Sequence, residues 1–123
     1  MTQAILLVGH GSRRSEANDA LLTLATLVKN KCPEAILAHG FLQLAQPDLP
    51  AALAALASQG VEEVTIVPVF LYEGIHIKKD IPEILAAEAK NYPQLRLILA
   101  PVLGIDERMA EIVIERVNAA PRE

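Results

Sequence analysis

Four short apolar runs alternate along this chain with four longer segments whose apolar residues fall at helical spacing, and that alternation leaves few folds open. A strand that continues into a helix meets a parallel neighbour only by crossing over, so a repeated βα pattern predicts a parallel sheet with helices on its faces. The first strand is expected from about Ala4 to Val8, ending in the turn Gly9-His10-Gly11-Ser12. A helix from about Ser15 to Asn30 follows, with Leu21, Leu24, Leu27 and Val28 on one face and Ser15 as its cap. The second strand is expected over Ala35 to Leu42, and the second helix begins after Pro47-Asp48 and stops near Gln59-Gly60. Glu63 to Leu71 is the most apolar strand, which predicts a place near the sheet centre. Asp80 as N-cap and Pro82 near the first turn predict a third helix running to about Asn91. Gln94 to Ala100 is the fourth strand, and Ile105 to Val117, introduced by Gly104 and Asp106, the last helix. The fold class is therefore α/β, a three-layer lobe with a four-stranded parallel sheet flanked by helices.

At 123 residues the chain has the size of one compact domain, here residues 1–123. Apolar residues make up 52% and aromatic residues only 3%, so Ala, Leu, Ile and Val must fill the space between sheet and helices. The net charge of −4 and the lack of a basic block argue against a nucleic-acid partner. Cys32 is the single cysteine, which rules out an internal disulfide or an all-thiolate metal site and suits a reducing compartment. The N-terminus has no cationic stretch, and the apolar run Ile5 to Val8 is too short for a signal or a membrane span, so the expectation is a cytoplasmic protein without membrane attachment.

In an open parallel sheet the loops leaving the carboxyl ends of the strands share one edge, where such folds gather their chemistry. His10 follows the first strand, Gln43 the second, and Glu73 and His76 the third. The glycines on either side of His10 clear space for a ligand to approach the imidazole, although a turn needing positive φ would read the same way. His76 alone reads as a loop histidine. Two histidines at strand ends together point to a divalent first-row cation, for which neutral imidazole is the commonest ligand. Two protein ligands leave coordination positions open, which suits transfer better than permanent binding. Arg13 and Arg14 follow His10, and Lys78 and Lys79 follow His76, so four cations flank the site of an acidic chain. They fit a polyanionic small molecule, with backbone donors at the start of the first helix adding to them; solvated basic patches are the plain alternative. Ser12 lacks the Gly-x-Ser-x-Gly context of a nucleophile and reads as a capping hydroxyl. Arg14 stands where a dinucleotide fingerprint needs its third glycine.

Several stretches resemble the class II chelatases of tetrapyrrole biosynthesis, specifically the short CbiX-type and SirB-type sirohydrochlorin chelatases. Ile5-Leu6-Leu7-Val8-Gly9-His10-Gly11-Ser12-Arg13 is similar to the first family motif, and Phe41-Leu42-Gln43-Leu44-Ala45-Gln46-Pro47 to the second. Val67-Pro68-Val69-Phe70-Leu71, Gly74-Ile75-His76 and Asp80-Ile81-Pro82 resemble the third, and Pro101-Val102-Leu103-Gly104 the last. The resemblance implies ATP-independent insertion of Co²⁺, Fe²⁺ or Ni²⁺, as a substrate and not a resident cofactor, into sirohydrochlorin. It implies His10 and His76 as the metal-handling and catalytic pair. Ser12, Arg13, Arg14, Gln43, Lys78 and Lys79 are expected to meet the tetrapyrrole. It further implies a chain equivalent to one lobe of the bilobal chelatases, working as a homodimer. Gln43 stands where the family motif has a glutamate; it can offer an oxygen but cannot take a proton. Glu73 and His39 are the candidates to replace that ligand. A non-catalytic carrier of metal or tetrapyrrole is the competing reading, and a phosphoryl-transfer enzyme using His10 the third, although Gly9 occupies the place where that chemistry needs an arginine.

Overall fold

The computed structural model describes residues 2–122, apart from the side chain of His76. Eight elements alternate along it: β1 (Gln3–Gly9), α1 (Ser15–Lys31), β2 (Ile36–Phe41), α2 (Leu49–Ser58), β3 (Glu63–Pro68), α3 (Ile75–Asn91), β4 (Arg96–Leu99) and α4 (Glu107–Ala119). All strand pairs are parallel, in the order β2-β1-β3-β4, so the strand expected near the centre is one of the two inner strands.

Helices lie on both faces, as the parity of β1 demonstrates. Ala4, Leu6 and Val8 join the larger core with Leu49, Leu53 and Leu56 of α2 and Ile77, Ile81 and Leu85 of α3. Leu7 points the other way, into a smaller core with Leu21 of α1 and Phe41. Burial on both faces explains the nearly unbroken apolar run in β1. In β3 the pattern alternates: Val64, Ile66 and Pro68 are buried, whereas Glu63, Thr65 and Val67 are only partly so.

Three helix starts differ from the sequence expectation, that of α4 by only two residues, at Glu107 instead of Ile105. Ser15 is the first residue of α1 rather than its cap; Arg14 holds the cap position and makes no capping side-chain bond. More consequentially, α3 begins at Ile75, with Gly74 as N-cap, so Asp80 and Pro82 lie inside it. Pro82 removes one backbone donor from the helix interior. The stripe Ile77, Ile81 and Leu85, one helical turn apart and at most 8% exposed, holds the segment against the sheet through that loss. The other caps agree with expectation: Asp48 Oδ1 accepts from Ala51 N at 2.9 Å, and Asp106 Oδ1 from Arg108 N at 2.9 Å. The Arg108 guanidinium also grips both Asp106 oxygens, at 2.7 and 2.9 Å, and holds that carboxyl well below the usual carboxylate range.

Strand β3 ends at Pro68 instead of Leu71, yet the pairing pattern does not stop there. Val69 N donates to Val8 O at 2.8 Å, Leu103 N to Pro68 O at 3.0 Å, and Gly104 N to Phe70 O at 2.9 Å. On the other side of β1, Leu42 N donates to Gly9 O and Gln43 N to His10 O, both at 3.0 Å. The loops of the carboxyl edge are thus sewn to one another before they diverge. Within them Gly11 has φ +93°, and a methyl group there would run into the carbonyl oxygen of Gln43.

Two outcomes follow for stability. Ile81→Ala, which empties a fully buried position, lowers the unfolding free energy by about 2–5 kcal/mol in urea titration; a loss below about 1 kcal/mol would mean that α3 does not pack as described. Gly11→Ala costs about 1–3 kcal/mol from backbone strain alone, and displaces the amide resonances of His10 and Gln43; unchanged resonances at both would contradict the left-handed turn.

Candidate metal-handling site at the sheet edge

His10 sits at the carboxyl end of β1, where the strand has just left its hydrogen-bonded ladder. Its side chain is exposed, and it stands at the wall of a cleft of about 390 Å³ whose lining includes Gly9, Gly11, Ser12, Leu21, Phe41 and Val69. The imidazole meets Phe70 edge to face, with ring centroids 4.8 Å apart and an interplanar angle of 82°. An accessible imidazole beside an apolar wall can exchange a ligand while one face stays shielded from water.

The turn after His10 is tied to α1. Asn18 Oδ1 accepts from Ser12 N at 2.9 Å, and Asn18 Nδ2 donates to Ser12 O at 2.7 Å. The Ser12 hydroxyl accepts from Arg14 N at 3.1 Å, a local turn bond two residues ahead rather than a cap on α1. These bonds satisfy the N–H groups of Ser12 and Arg14, both of which precede the first residue of α1. The side chains of Arg13 and Arg14 are both exposed, and Arg14 reaches Glu16 at 4.0 Å.

Gln43 is held at the same edge through its backbone bond to His10, and its side chain is exposed. Glu73 is exposed in the loop between β3 and α3. Position 76 belongs to the first turn of α3 rather than to a loop, and the side chain of His76 lies outside the described residues. Lys78 and Lys79 are exposed near the start of the same helix, with Lys79 Nζ 4.0 Å from Glu83. The carboxyl edge thus carries His10, Gln43 and Glu73, with α1 and α3 both starting there.

His39 is placed differently. It is half-buried within β2, meets Phe41 at a centroid distance of 5.7 Å, and faces α1 beside Leu22, Ala25 and Lys29 rather than lining the cleft of His10. Cys32 terminates α1 at the opposite end, with Sγ 3.1 Å from a Glu34 oxygen; that contact pushes the thiol pKa up and disfavours the thiolate a metal would need. Among the described residues no group of three or more His, Cys, Asp and Glu side chains converges on a point.

Two residues of this region escaped the sequence reading. Phe70 was counted as strand, and its contact with His10 depends on β1 and β3 lying side by side. Asn18 falls within the expected helix Ser15 to Asn30, with little in the sequence to mark it. A polar residue in the second turn of a helix that follows a glycine-rich turn is a weak signal, and only the path of the turn makes it specific.

Comparison with known proteins identifies the family of this fold. The chain matches the CbiX family over residues 4–120. It is 36% identical over 123 aligned residues to a sirohydrochlorin cobaltochelatase of Methanosarcina acetivorans, covering 94% of this chain and 95% of that one. It is 35% identical to a sirohydrochlorin ferrochelatase of Priestia megaterium over 115 residues, 94% of this chain and 43% of its relative. The solved structure of the sirohydrochlorin chelatase SirB from Bacillus subtilis subspecies spizizenii in complex with cobalt has a TM-score of 0.88 and 34% identity, covering 97% of this chain and 51% of that one. The chain therefore spans about half the length of the last two and nearly all of the first. No helix among the described residues is long and apolar enough to cross a membrane. A match that runs from the first strand to the last helix, over a fold with the same sheet, makes this chain a member of the CbiX family.

Proposed function

We propose that this chain is a chelatase, a lyase acting without ATP, that inserts Co²⁺, Fe²⁺ or Ni²⁺ into sirohydrochlorin. The observation that carries the reading is the glycine-flanked, exposed imidazole of His10 at the mouth of an apolar cleft, in a chain 36% identical over nearly its whole length to a sirohydrochlorin cobaltochelatase.

Insertion requires a hydrated cation to shed water while two pyrrole N–H protons leave the macrocycle. A ligand that is also a base serves both needs, and imidazole is such a group. His10 and His76 bind the incoming cation, which is substrate and not a resident cofactor, and accept the departing protons. Arg13, Arg14, Lys78 and Lys79 hold the peripheral carboxylates, with Ser12 and Gln43 against the ring. Glu73 is the reserve ligand. His39, half-buried against α1 and outside the cleft of His10, fits that role poorly. The other family reading, a carrier that binds without turnover, draws on Gln43, which cannot accept a proton.

Residues 1–123 form one lobe that works as a homodimer. Helix α4 supports this: no Cα atom in it lies within 8 Å of a Cα atom in any other described helix or strand. Its Ile112, Val113, Ile114 and Val117 are 47–58% exposed. The face of β3 and β4 that carries Thr65, Val67 and Ile98 is only partly covered. An amphipathic helix draws most of its stability from packing, and a second copy offers both missing surfaces at once. The match to half of longer relatives fits a second lobe supplied in the same chain there.

Two experiments test these readings. In an absorbance assay of metal insertion into sirohydrochlorin with each of the three cations, His10→Ala and His76→Ala each lower kcat/KM by about 100-fold or more. Gln43→Glu raises kcat. Absence of turnover in every variant and the parent alike, with stoichiometric binding, would replace the enzyme by the carrier. Light scattering gives a mass twice 13.3 kDa for the parent and a smaller, still folded species for Val117→Asp; a parent at 13.3 kDa in micromolar solution would exclude the homodimer.

A further inference from the structure

We propose that Asn18 is a positioning residue for His10, its carboxamide fixing the Ser12 peptide so that the glycine-rich turn aims the imidazole in one direction. The inference rests on the reading of His10 as the metal-handling residue and adds a residue that acts through it.

The turn Gly9-His10-Gly11-Ser12 has more conformational freedom than any other segment at the carboxyl edge, because two of its four residues are glycine. On the strand side that freedom is removed by the bonds from Leu42 N to Gly9 O and from Gln43 N to His10 O. Those bonds stop at residue 10. Gly11, at φ +93°, has no side chain with which to anchor itself. On the helix side the turn is held by Asn18, whose carboxamide accepts from Ser12 N at 2.9 Å and donates to Ser12 O at 2.7 Å. Both distances are those of well-formed hydrogen bonds. A carboxamide carries a donor and an acceptor on one planar group, so it can close a ring with a peptide; a carboxylate lacks the donor and an alkyl group lacks both.

This is not helix capping. The N–H that Asn18 satisfies belongs to Ser12, three residues before the first residue of α1, and not to the open donors of the helix itself. Asn is moreover a weak helix former in the second turn, and there its side chain lines the same cleft as His10. With residues 10 and 12 both tied, the remaining freedom is the His10 side chain, which the Phe70 ring limits at a centroid distance of 4.8 Å. Groups that orient a metal-handling imidazole without touching the metal change its affinity by about 10–100-fold when removed.

The test uses Co²⁺ alone, titrated into the full chain and followed by its d–d absorption. Measurements are made well below the unfolding temperature of each variant, with circular dichroism confirming the fold. Asn18→Ala weakens Co²⁺ binding by about 10-fold, and Asn18→Asp, which keeps the acceptor and loses the donor, falls between it and the parent. In a His10→Ala background the same Asn18→Ala change has no further effect, because it acts only through His10. An equal loss in both backgrounds, or full affinity in a folded Asn18→Ala variant, overturns the proposal. If His10→Ala itself leaves Co²⁺ binding unchanged, the assignment of His10 to the metal fails instead, and positioning is read by NMR. The parent then shows a nuclear Overhauser contact between the His10 and Phe70 rings and slow exchange of the Ser12 amide. Loss of both in Asn18→Ala supports positioning, and their persistence overturns it.

Discussion

Everything at the carboxyl edge depends on strand pairing that outlasts the strands. The four-stranded ladder leaves four loops running out side by side, and backbone bonds between them continue the pairing past the strand ends: Gln43 N to His10 O, Val69 N to Val8 O, Gly104 N to Phe70 O. A loop held this way loses much of its conformational freedom at no cost in side chains, which leaves the side chains for chemistry. The imidazole of His10, the ring of Phe70 and the amide of Gln43 are neighbours because β1 lies between β2 and β3, not because of anything in their own sequences.

The same ladder explains why glycine is required where it is. At Gly11 the chain turns with positive φ, and the Gln43 carbonyl occupies the space a methyl group would need. The positive φ that such a turn can require is thus present at Gly11. The hydrogen bonds of Ser12, Arg14 and Asn18 hold the far end of the same turn, ahead of the first residue of α1.

Much of the fold was legible in the residues. The four apolar runs became the four strands, the inner position of β3 followed from its composition, and Asp48 and Asp106 capped the helices assigned to them. Where reading failed, a local rule was overridden by packing. Pro82 and Asp80 together look like a helix start, yet Ile77 and Ile81 bury themselves one turn earlier and carry the helix back to Ile75. That shift moves position 76 and Lys78 and Lys79 from a loop onto a helix.

Sequence alone determined the fold class and the order of the elements, and it put His10, Gln43 and Glu73 at strand ends, because periodicity and turn chemistry are properties of consecutive residues. Tertiary structure decided which of these side chains share a cleft. It turned His39 toward α1, joined Asn18 to the turn beside His10, and left α4 away from the sheet. Those outcomes depend on distances between segments far apart in the chain, and such distances exist only after the sheet has formed.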